Sequence, residues 1–172
     1  APSLNDGASY GVIKLPNESP NHGPFETVVS PSDPVASPFG WHDTDGNIGP
    51  EYTITRGNNI YAREDDEGDN SQSGTDYSPD GGNSLNFIYD FDISGAPPSY
   101  QDLSITNLFY TGNMMHDIWY NYGFDEQSGN FQENNYGNGG QGGDSVIADA
   151  QDGSGLNNAS FSPTTDGQNP II

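Results

Sequence analysis

Cysteine is absent, and basic residues nearly so. The 172 residues hold Lys14, Arg56 and Arg63 against 25 Asp and Glu, a net charge of −22. No thiol means no disulfide framework and no cysteine chemistry. It does not exclude export, because a cation can staple a fold that lacks disulfides. From Glu64 onward there is no Lys or Arg at all. Nucleic acid and anionic membrane surfaces are therefore excluded as partners, since phosphate contacts need cations. Metal cations, calcium above all, are favoured for the opposite reason. No apolar run approaches the ~18 residues of a membrane helix. Hydrophobic residues make up only 30% of the chain.

Low hydrophobicity with high charge is the pattern of a disordered chain. The aromatic content argues against that reading here, with 10 Tyr, 8 Phe and 2 Trp to build a core. The 23 Gly and 13 Pro predict many turns and short strands. Acidity, few Lys, and abundant Asn, Gly and Tyr suit a secreted, extracellular protein.

Residues 1–9 are small and polar and read as an N-terminal arm, with a single lobe over 10–172. Strands are expected at Tyr10–Leu15, Phe25–Val29, Glu51–Thr55, Asn59–Arg63, Leu85–Phe91 and Ser145–Ala150, and Phe131 reads as the start of another short strand. Residues 64–83 read as an acidic, glycine-rich loop. Residues 104–122 form the one convincing helix. Ile105, Leu108, Met115, Trp119 and Tyr122 would make its apolar stripe. Asp102 or Ser104 would cap its start and Gly123 would end it. Gly112 inside it implies close packing.

Several short words follow one another along the chain. They are LPNESPNHG and SPSDPVASPFGWHDTDG, then TRGNNIYA from Thr55, then NLFY, MHD, YGFDE and SGNFQ, and finally AQDGSG, NNA and DGQNP. In that order and spacing they resemble the front of the catalytic unit of bacterial, fungalysin-like secreted metallopeptidases, whose fold resembles thermolysin. The resemblance implies an α+β fold: a twisted, mixed, mostly antiparallel sheet with one long helix, rich in loops. It implies zinc as cofactor. The zinc-binding His-Glu-x-x-His of that family occurs nowhere in this sequence. Its ligands and general base are therefore expected outside this chain, on a C-terminal lobe that would be the partner of this one. No catalytic residue is assigned here. Alone, the chain should be inactive.

The resemblance also implies a substrate-aligning region over 145–161. Asn157, Asn158 and Ala159 match the Asn-Ala edge that pairs with an extended peptide substrate through backbone hydrogen bonds. An ordinary turn at Asn157-Asn158 is the alternative. Asn158-Ala159-Ser160 and Asn17-Glu18-Ser19 are also glycosylation sequons. His116 beside Asp117 invites a catalytic reading, but on the long helix it is expected to be a packed, hydrogen-bonded residue.

Calcium is a separate expectation. Asp43, Asp45 and Asn47 alternate as oxygen ligands often do, although position six of an EF-hand loop would be Ile48 rather than Gly. The run Glu64-Asp65-Asp66-Glu67-Gly68-Asp69-Asn70 offers Asp65, Asp66, Glu67 and Asp69; a solvated acidic loop is the alternative. A rival reading of the whole chain is a non-catalytic extracellular assembly module, with copies of itself as partners through strand exchange.

Overall fold

The computed structural model describes residues 6–70, 76–90, 92 and 94–172. It shows an α+β fold with five short strands and one long helix. The strands are β1 (Ser9–Ile13), β2 (Phe25–Val29), β3 (Ile60–Glu64), β4 (Asn86–Phe87) and β5 (Val146–Ala150), and the helix is α1 (Gln101–Asn121). They make two small sheets instead of one twisted sheet. The first has the order β2-β1-β4, and the second pairs β3 with β5. Pairing is antiparallel between β1 and β2 and parallel in the other two pairs. Among the described residues, no helix is long and apolar enough to cross a membrane.

The core is aromatic, as the composition requires. Tyr10, Trp41, Phe87 and Phe109 are almost fully buried. The Tyr10 ring stacks on Phe87 at 5.4 Å and meets Trp41 at 5.5 Å. Burying each such ring stabilises by roughly 1.5–3 kcal/mol, so a few rings compensate for the scarcity of aliphatics. The second sheet is fixed by charge. Arg63 and Asp149 face each other in the β3/β5 register, and the buried Arg63 guanidinium binds both Asp149, at 2.8 Å, and Asp76.

Several expected elements change. The arm is shorter than 1–9: Asp6 accepts from the Ala8 and Trp41 amides, Ala8 is buried and Ser9 opens β1. Residues 1–5 lie outside the described ones. Glu51–Thr55 is not a strand. Among the described residues, its one ladder contact is a bridge from Ile54 to Asp80. The expected strand over Leu85–Phe91 contracts to Asn86–Phe87, with Phe91 outside the described residues. Phe131 starts no strand. Part of the 64–83 loop, 71–75, also lies outside the described residues, and Glu64 belongs to β3.

The helix is three residues longer at its start than expected, because a 3-10 turn at Pro97–Tyr100 leads into it. Neither Asp102 nor Ser104 caps it; the N-cap is Tyr100 and no side chain caps it. Gly123, at φ +97°, does end it. A Cβ on Gly112 would fall 2.9 Å from Ile60 Cδ1, which is the close packing that a mid-helix glycine implies.

The apolar stripe is the largest correction. Leu103, Thr106, Tyr110, Asn113 and Asp117 form the buried face, with Ile105 and Phe109 beside them. Met115, Trp119 and Tyr122 are exposed, Tyr122 by 81%. Hydrophobicity pointed to the wrong side because the buried side is polar in its second half. Asn113 takes a bond from Asn59 and gives one to the Phe109 carbonyl. Asp117 takes three donors from the 33–41 loop: the Asp33 amide, the Ser37 hydroxyl and the Trp41 indole. A buried polar group needs such partners, and here they replace apolar contact.

Candidate functional site

Strand β5 ends at Ala150, and a tight turn follows, held by the Gly153 amide donating to the Asp65 carbonyl. The chain then runs exposed through Leu156–Phe161. The expected edge strand is not formed there. Asn157 sits at φ +52°, in the left-handed region, which breaks extended backbone. Among the described residues, nothing hydrogen-bonds to Asn157, Asn158 or Ala159. Their backbone donors and acceptors face water on the rim of a cleft of about 560 Å³. Tyr100 and Leu108 from the helix side and Gln151 from the β5 end form its other wall. Gln151 is anchored by donating to the Pro97 carbonyl at 2.7 Å.

Leu108 and Ile172 also line a second, almost wholly apolar groove of about 530 Å³. It runs along α1 past Gly112, Met115 and Trp119 to Phe124, Phe131 and Phe161. The helix thus also carries apolar residues on a side turned away from the core.

The acidic residues sort themselves differently from their order in sequence. Asp43 and Asp45 converge with Glu51, one oxygen of each within 4.8 Å of the others. Asn47 instead supports Asp45, donating to both its oxygens from its amide and side chain. In the second run, Asp66 and Glu67 converge with Glu64. Asp65 does not join them: it is buried and accepts from the Asp69 and Asn70 amides, which folds the loop. Asp69 is not among the converging residues either. Asp66 beside it pushes the Glu67 carboxyl up from its ordinary value.

His116 and His42 are structural, while His22 is exposed on its loop beside Ser19. His116 bonds Asp117 at 3.0 Å, as expected of a packed residue. His42 lies in the aromatic core, stacked on Phe87 at 5.2 Å and on Phe109 at 5.0 Å. Its Nδ1 is 2.9 Å from the Arg56 carbonyl, which can only accept, so Nδ1 carries the proton. Nε2 then accepts from the Tyr10 hydroxyl at 2.8 Å. Burial holds the His42 pKa down, from 6.5 to about 4. Between those values the unfolded chain binds a proton that the folded chain refuses. The resulting stability is full above about pH 6.5 and falls as pH drops towards 4, by about 3 kcal/mol in all. Asp43 next to it runs the other way: burial raises its pKa to about 6, so its contribution is full below 3.8 and lost as pH rises through 6. Comparing the protein with His42→Gln in urea at pH 7.5 and 4.5 isolates the histidine. The wild type is expected to lose more stability on acidification than the variant; equal losses would rule out a buried neutral His42.

Sequence reasoning missed the network that builds the scaffold. Asn58 exchanges bonds with the Asn134 backbone, and Asn59 reaches Ser37 and Asn113. The TRGNN word carried that signal.

A family model described as Fungalysin metallopeptidase (M36) matches residues 9–172. The chain belongs to the fungalysin metallopeptidase family. It is similar to a probable extracellular metalloproteinase 2 of Arthroderma benhamiae, 44% identical over 164 residues, which are 94% of this chain and 25% of that protein. It is similar to a probable extracellular metalloproteinase 5 of Trichophyton verrucosum, 46% identical over 162 residues, with the same two shares. An extracellular metalloproteinase 5 of Trichophyton tonsurans is 45% identical over 165 residues, covering 94% of this chain and 26% of the relative. These relatives are fungal, not bacterial. The chain spans about a quarter of their length.

A fungalysin metallopeptidase implies a metal, and the residues of this chain do not fit a catalytic zinc. Such a centre takes nitrogen and carboxylate ligands with one open position. Among the described residues, the converging groups of three are all carboxylate and none includes a histidine. His42 is sealed in the core with both ring nitrogens engaged.

Proposed function

We propose that this chain is the N-terminal part of a secreted zinc metalloendopeptidase and that it aligns the substrate. The zinc ligands and the catalytic base lie outside the chain, in the remainder of the enzyme's length. The observation that carries this reading is the free backbone at Asn157–Ala159 on the rim of the 560 Å³ cleft. An extended peptide laid along it gains main-chain hydrogen bonds whatever its side chains. The Asn158 amide adds a side-chain contact, and Leu108 and Leu156 offer apolar wall.

The apolar groove along α1 has a different occupant: the rest of the metallopeptidase chain. Relatives four times longer have that length to supply. Covering Met115, Trp119, Phe124 and Phe161, all now at least 39% exposed, would remove a contiguous apolar surface from water.

The test is Ala159→Pro in the full-length protein. Proline removes one backbone donor from the rim and touches nothing buried. Peptide hydrolysis is expected to fall about 10- to 100-fold in kcat/KM with the melting temperature unchanged. Full activity would sink the alignment role.

A further inference from the structure

We propose that Asp43, Asp45 and Glu51 form a calcium site that clamps the 43–51 loop onto the 134–136 segment. Acidic side chains crowd many surfaces without an ion, so the cluster alone decides nothing. The deciding atom is Asp43 Oδ2. Asp43 is fully buried, and Oδ2 has no hydrogen-bond partner. Its other oxygen is taken: Oδ1 accepts from the Gly46 amide at 2.8 Å and the Tyr136 hydroxyl at 3.0 Å. That leaves Oδ2 as the Asp43 oxygen available to an ion shared with the Asp45 and Glu51 carboxylates. An orphaned, desolvated carboxylate oxygen is costly unless a cation reaches it.

No side chain of this protein can serve as that cation. Lys14 lies 4.0 Å from Glu26, Arg56 stacks over the Tyr52 and Tyr61 rings, and Arg63 is buried between Asp76 and Asp149. The ion must therefore come from solution. The donor set is all oxygen, which selects a hard cation. Two oxygens on opposite sides of a calcium ion stand up to ~4.8 Å apart, and calcium tolerates irregular shells completed by water. Here the three oxygens fall within 4.8 Å of one another. The rim is held open and in place without metal. Glu51 is fixed by its amide donating to the His42 carbonyl and by accepting from Thr44, and Asp45 is fixed by Asn47.

The ion would join parts of the chain that are remote in sequence. Tyr136, bonded to Asp43, also packs on Phe39 at 5.1 Å, and Asn134 donates to the Thr44 carbonyl. The cluster at Glu64, Asp66 and Glu67 has no comparable atom: none of its oxygens is among the buried, unpartnered ones of the described residues. It serves as the internal control.

The experiment is titration of the chelator-stripped protein with terbium, followed by displacement with calcium and, separately, magnesium. Tyr136 sits against the site and would sensitise terbium emission. Calcium is expected to displace terbium and to raise the melting temperature, with magnesium weaker at both. Glu51→Gln, an exposed substitution that leaves the core intact, is expected to weaken calcium binding about tenfold or more. Asp43→Asn should weaken it further. Glu67→Gln should leave both readouts unchanged. Calcium affinity within twofold of wild type in Glu51→Gln, or a calcium response lost in Glu67→Gln instead, would overturn the site, as would no response of the wild type at millimolar calcium.

Discussion

Gly57→Ala is expected to destabilise the protein by roughly 3–5 kcal/mol. Gly57 is not needed for an unusual backbone angle. It is needed because the chain crosses the Trp41–His42 backbone there with no room for a side chain. An added Cβ would fall 1.7 Å from the Trp41 carbonyl oxygen and 2.6 Å from its carbon. Both are backbone atoms in the buried core region, so neither can rotate away. The crossing is tied on both sides: Asn58 donates to that same Trp41 carbonyl at 3.0 Å, and Gly57 donates to the Ile60 carbonyl at 2.9 Å. Separating the two strands of chain would break those bonds and pull Asn58 and Asn59 from their partners. Urea unfolding of the variant measures the effect. A loss under ~1 kcal/mol would mean that the crossing is looser in solution.

Asp117→Ala comes next, with an expected loss of about 3–4 kcal/mol and a melting temperature about 10 °C lower. Among the described residues, the carboxylate is the only acceptor given to the Asp33 amide, the Ser37 hydroxyl and the Trp41 indole N–H. Removing it strands these three donors, two of them wholly buried with their partner, and takes away the His116 contact as well. The cause can be separated from simple loss of packing. Combining Asp117→Ala with Trp41→Phe, which removes one stranded donor, should cost less than the sum of the two single changes. Strict additivity would show that the indole bond contributes nothing.

These two positions show what could and could not be read from the sequence. β2 and β5 were legible because alternation and flanking turns mark them, and the helix because its apolar residues recur. Its orientation was not legible. Asn113 and Asp117 look like solvent-facing residues, and only loops distant in sequence make them core. Glu51–Thr55 reads as a strand by composition, yet the Gly57 crossing bends the chain away and leaves Thr53 and Thr55 bonding to Gly81 and Pro79 singly. At the cleft, the conformation of the NNA word was not readable, since Asn157 takes a left-handed turn. At the acidic loop, Asn47 matched the alternation, while Glu51 arrives from across the turn, beyond the reach of any local pattern. Asp65 was drawn inward by its own loop's amides.

The most direct measurement on the central claim compares Ala159→Pro with Ala159→Gly in the full-length protein. Glycine keeps the backbone N–H, whereas proline lacks it and stiffens the rim at Asn158–Ala159, so the pair tests the rim backbone itself. Chelator-sensitive peptide hydrolysis is expected to survive in Ala159→Gly and to fall about 10- to 100-fold in Ala159→Pro, with both variants melting like the wild type. Equal activity in the two variants would contradict substrate alignment by this chain.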